Sequence, residues 1–89
     1  MTMMVHYIGV LPRGIELESL GEDWKTHVED LREVRLEPWH GAPDWLRDGK
    51  HKRADWGTML YELAASDVTR LTGMPSQPGR YVAAWVECY

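Results

Sequence analysis

Hydrophobic positions fall into three arrangements along this chain. Residues 4–11 (Met-Val-His-Tyr-Ile-Gly-Val-Leu) and residues 80–88 are apolar at nearly every position. A strand covered on both faces reads this way, so both are predicted as inner strands of a sheet, lying side by side. Strict alternation appears in Val34-Arg35-Leu36-Glu37, which predicts a strand closed by Pro38. Alternation also opens residues 15–20, where a short strand and a loop compete. Helical spacing appears twice. Trp24, Val28 and Leu31 predict a helix over residues 22–33, with Glu22 and Asp23 at its positive end and a Lys25–Glu29 pair on its outer face. Trp56, Met59, Leu60, Leu63, Ala64, Val68 and Leu71 predict a helix over residues 55–72. Asp55 serves as its N-cap and Gly73 as its C′ residue, and Ser66-Asp67 offer a point of division into two helices.

These elements predict a small single-domain α+β fold spanning residues 1–89, a three- or four-stranded sheet with two helices packed on it. The expected core runs from Val5, Tyr7, Ile8 and Val10 through Trp24, Val28, Leu31, Leu36, Trp56, Leu60, Leu63 and Leu71 to Val82, Ala84, Trp85 and Val86. His6 is expected to be a packed or edge histidine, not a ligand, His27 a packed or half-exposed one, and Cys88 a small buried hydrophobe.

Composition narrows the functional classes. With five Trp, four Tyr and no Phe, the aromatic core carries polar N–H and O–H groups that want partners. The net charge of −4 disfavours bulk attraction to nucleic acid or to an anionic membrane. A single cysteine excludes an internal disulfide. With no leader-like N-terminus and no long apolar run, it predicts a cytoplasmic protein without a membrane span.

One stretch departs from this ordinary pattern. Residues 38–56 hold three of the five tryptophans and four of the ten Lys/Arg residues, among two prolines and two glycines. The flanking elements account for nearly all the periodic apolar residues, so the core is not expected to need this loop. Trp39, His40 and Trp45, with the basic tip Arg47, Lys50, His51, Lys52 and Arg53, are the expected partner-binding residues. Trp is enriched at binding hot spots, and a positive spot on an acidic molecule orients an encounter with an acidic protein surface. A second copy of the chain, paired through a strand edge, is a further candidate partner. In size and style the chain resembles small phage or mobile-element inhibitors that dock on a host protein; no residue carries that likeness.

Two other functions draw on the same residues. Trp39 and Trp45 with the tip 47–53 have the aromatic and basic mix of a weak single-stranded nucleic-acid binder, which the overall charge disfavours. A small enzyme would pair His40 or His51 with Asp44. The strong catalytic and phosphate-binding motifs are absent, and Ser or Cys nucleophile patterns are missing. Glu37, His40 and Asp44 match no established metal-ligand spacing, and Asp44 is expected instead to cap a short turn over Trp45–Arg47. Neither metal nor cofactor nor catalysis is therefore expected.

Overall fold

The structure, a computed structural model, describes residues 3–88. It is an α+β fold built on one antiparallel sheet of five strands: β1 (Met3–Val10), β2 (Glu29–Val34), β3 (His51–Asp55), β4 (Thr58–Ala64) and β5 (Arg80–Cys88). Two short helices, α1 (Asp44–Arg47) and α2 (Ala65–Thr72), complete the regular structure with 3-10 turns at Leu17–Ser19 and Trp24–His27. Among the described residues no helix is long and apolar enough to cross a membrane.

The order across the sheet is β2-β1-β5-β4-β3. The two continuous apolar runs lie where the pattern places them: β5 is central and pairs β1 from Met3 opposite Cys88 to Val10 opposite Tyr81. Both faces are covered. Residues 36–47 and α2 lie over one face, enclosing Ile8, Leu46, Tyr61, Leu63, Val68 and Trp85. Residues 11–28 lie over the other, enclosing Leu17, Leu20, Trp24, Leu60, Val82 and Ala84. Arg80 fastens this second cover by donating to the Pro12 and Ile15 carbonyls at 3.0 and 2.7 Å.

The expected helix over 22–33 is replaced by one 3-10 turn and strand β2. Trp24 and Val28 are buried against the sheet by the turn itself, so their spacing reflects two anchor points, not a helical stripe. The strand that follows is a solvated edge, with little apolar alternation to announce it. Lys25 lies over the Tyr7 ring at 4.5 Å instead of pairing along a helix. The chain enters β2 at a β-bulge opposite Ile8–Val10, with Asp30 at φ 51°. Gly9 makes this approach possible, since a Cβ there would stand 2.3 Å from the Val28 side chain.

The expected strand over 34–37 ends at Val34. Beyond it the chain leaves the ladder, and Leu36 turns fully inward: its N–H donates to His6 Nδ1 at 3.0 Å. Residues 15–20 form a 3-10 turn, not a strand.

The largest correction falls on 55–72. Residues 58–64 are strand β4, and only 65–72 are helical. Thr58 and Leu60 face one cover while Tyr61 and Leu63 face the other. With both faces apolar, the residues between them mimic a helical stripe. Asp55 is not a helix cap: its Oδ1 accepts the Gly57 N–H at 2.9 Å and closes the β3–β4 turn. Trp56, expected in the core, is 71% exposed. Gly73 does terminate α2, at φ 75°, with its N–H on the Thr69 carbonyl. Cys88, expected to be buried, is exposed at the end of β5.

Candidate functional site

The β3–β4 hairpin positions an exposed aromatic ring, that of Trp56. Asp55-Trp56-Gly57 reverses the chain through the Asp55 side chain, a local bond to which Asp is suited. The middle residue of such a turn lies beyond both strands, and Trp56 projects there. Two bonds hold the tip. Arg53 Nη1 donates to the Trp56 carbonyl at 2.7 Å, and Glu87 N–H donates to the Gly57 carbonyl at 2.7 Å. Gly57 is suited to this approach, because a Cβ would come within 3.1 Å of the Glu87 carbonyl.

Beside the tip, between the sheet and residues 40–47, lies a cleft of about 210 Å³. Its floor includes Met59, Tyr61 and Trp85, and its walls include His40, Arg47, Arg53 and Glu87. Burial pushes the Tyr61 hydroxyl above its ordinary pKa of 10.0, while the charges of Arg47 and Arg53 pull it back. Both guanidinium groups therefore bear on one point of the floor. In the folded protein Tyr61 holds its proton to a higher pH than in the unfolded chain. Its contribution to stability is complete below about pH 10 and is lost as pH rises through the folded value. A spectrophotometric titration is expected to show one tyrosine ionising above the ordinary range, and Tyr61→Phe is expected to abolish that step. A wild-type titration with every tyrosine ionising near pH 10 would contradict this placement.

The covering segment is pinned from below. His6, 2% exposed, accepts the Leu36 N–H at Nδ1 and donates from Nε2 to the Trp39 carbonyl at 2.9 Å. Trp85 Nε1 donates to the Pro38 carbonyl at 3.1 Å. His6 is thus a packed, fully engaged histidine, the first of the two places its sequence context allows. The Glu37–Pro38 peptide bond is cis. The core does use this segment: Leu36, Ala42 and Leu46 are buried in it. That corrects the expectation of a loop apart from the fold.

The expected partner-binding residues are dispersed. Trp39 is half-buried, with its ring edge-on to His40 at 4.7 Å. Trp45 is half-buried too, packed on the core beneath the Arg70 guanidinium, 4.0 Å from its ring centroid. The basic tip is divided because it is largely strand. His51 and Arg53 stand opposite Tyr61 and Met59 on one face, and His51 Nδ1 donates to the Gly49 carbonyl. Lys52 points to the other face and donates to the Glu18 carbonyl. Lys50 is exposed just before β3. His40, Arg47 and Arg53 are the members that meet, in the cleft. Asp44 does not cap α1, whose N-cap is Pro43; it pairs with Arg47 one turn on. Among the described residues no three His, Cys, Asp or Glu side chains gather as a metal site.

Trp56 is the residue that the apolar periodicity misassigned. The signal was present as Asp55 followed two residues later by Gly57, a turn pattern that places the residue between them at a hairpin tip. No family model matches this chain, and no curated protein or solved structure matches it.

Proposed function

We propose that the protein is a non-catalytic interaction module that docks on an acidic protein surface through the β3–β4 tip and the adjoining basic cleft. The observation that carries this reading is Trp56, 71% exposed at the hairpin tip, where its carbonyl is held by Arg53 of the cleft wall. Trp and Arg are the residue types enriched at protein-binding hot spots, and the tip and the cleft supply both, although the hollow that Trp56 itself lines also holds Glu22, Asp55 and Glu87. Trp56 supplies the apolar anchor. Arg47, Arg53 and His40 supply donors for a partner's Asp or Glu side chain, in a setting where charge-assisted bonds are strong. The setting is cytoplasmic, where the exposed Cys88 stays a thiol.

The nucleic-acid reading is less well supported. Stacking needs open ring faces, yet Trp39 and Trp45 are half-buried and Arg70 already covers one face of Trp45. The strand also sends Lys52 away from Arg53, so the basic residues do not follow one backbone track.

The test is affinity capture from the native host with wild-type and Trp56→Ala baits, read by mass spectrometry. A partner recovered by the wild type and lost by the folded variant is the expected result. Equal recovery by both baits would remove Trp56 from the interface. Micromolar, salt-sensitive binding of single-stranded oligonucleotides would favour the nucleic-acid reading instead.

A further inference from the structure

A second groove lies on the same face of the sheet, between β2 and α2. Its volume is about 380 Å³, within the roughly 300–1,000 Å³ of small-molecule sites. Its apolar lining includes Ile8, Val34, Val68 and Leu71 from β1, β2 and α2, with Met74 and Pro75 just beyond α2. Arg32 and Arg35 stand in the same wall. Both are exposed, and among the described residues neither guanidinium group has an ion-pair or hydrogen-bond partner. In a chain with 14 Asp and Glu residues against 10 Lys and Arg, two unpaired guanidinium groups beside an apolar floor stand out. The groove adjoins a smaller hollow of about 270 Å³ that contains Asp30. The two share Ile8, Arg32 and Val68; Asp30 disfavours a negative charge deep in the hollow, so a charged head belongs on the Arg35 side of Arg32 and an apolar body along Ile8 and Val68.

We propose that this groove binds a medium-chain carboxylate, with the carboxylate on Arg32 and Arg35 and the alkyl chain over Ile8, Val34 and Val68. The pairing follows from chemistry alone. A guanidinium matches a carboxylate with parallel N–H donors, and the apolar floor gains by excluding water from an alkyl chain. The site is independent of the Trp56 surface, which lies across the sheet at the β3 side.

The test is titration of the whole protein with sodium octanoate, followed by calorimetry and by methyl NMR. Acetate and 1-octanol serve as the head alone and the uncharged body. Saturable binding of octanoate is expected, with shifts at the methyl groups of Ile8, Val34 and Val68 and no saturation by acetate. The variant Arg32→Gln/Arg35→Gln, altered only at exposed positions, is expected to fold normally and bind octanoate roughly tenfold more weakly or worse. Absence of saturable octanoate binding, unchanged affinity in the variant, or shifts confined to other surfaces would overturn the proposal. So would 1-octanol binding as tightly as octanoate. An acidic, apolar peptide that binds there more tightly than octanoate would assign the groove to a protein partner, and would also overturn it.

Discussion

Trp85→Ala is expected to lower the stability of the protein by about 3–5 kcal/mol, the range for deleting a buried tryptophan side chain. Trp85 is 2% exposed and lies on the central strand, with its ring centroid 5.4 Å from both His6 and Tyr61. Removing the ring opens a cavity under the covering segment and leaves the Pro38 carbonyl without the indole N–H. That loss adds a polar penalty to the cavity cost. It also weakens a joint, since Pro38 and Trp39 are held from below by Trp85 and His6. In a domain of this size each kcal/mol moves the melting midpoint by about 4–8 °C. The midpoint should therefore fall by more than about 12 °C. Trp85→Phe keeps much of the ring and loses the N–H, so it should fall between the wild type and the alanine variant. A thermal melt of Trp85→Ala within a few degrees of the wild type would contradict the central place given to this residue.

Trp56→Ala is expected to do the opposite. The side chain lies outside the core, so stability should change by no more than about 0.5 kcal/mol. Affinity for the docked partner should fall by about 2 kcal/mol or more, roughly thirtyfold. The two variants thus separate the fold from the contact surface. A buried-type Trp56 would show the reverse balance, with a large loss of stability and an unchanged affinity per folded molecule. Calorimetry of each variant with the purified partner, beside its melting curve, reads both quantities.

The inner strands were legible because covered strands leave an uninterrupted apolar record. Residues 4–11 and 80–88 needed only that record to be placed side by side. The edge strand β2 left no such record: four of its six residues are exposed and its start is set by a bulge, so the anchors Trp24 and Val28 dominated the pattern. β4 was lost for the opposite reason. Burial on both faces put apolar residues at every spacing, helical spacing included. The end of α2 was legible because Gly73 carries a local conformational requirement that no packing overrides.

The site was legible in part. His40, Arg47 and Arg53 were drawn from the same stretch that the sequence singles out, and the cleft gathers them. That Lys52 departs from them follows from strand alternation, which is visible only once residues 51–55 are known to be a strand. His6 looked like a lone polar residue in an apolar run. Its two bonds join segments more than 25 residues apart in sequence, and no local pattern encodes such a partnership. Trp56 shows how a periodic signal can mask a turn signal at the same position.

Hydrogen exchange on the captured complex tests the proposed contact surface most directly. Amide exchange is measured across the chain with and without the partner. Slowed exchange at residues 53–57 and 40–47, with β2 unchanged, is the predicted footprint. Protection confined to β2 and the acidic residues that flank it, with the β3–β4 tip exchanging as in the free protein, would contradict it.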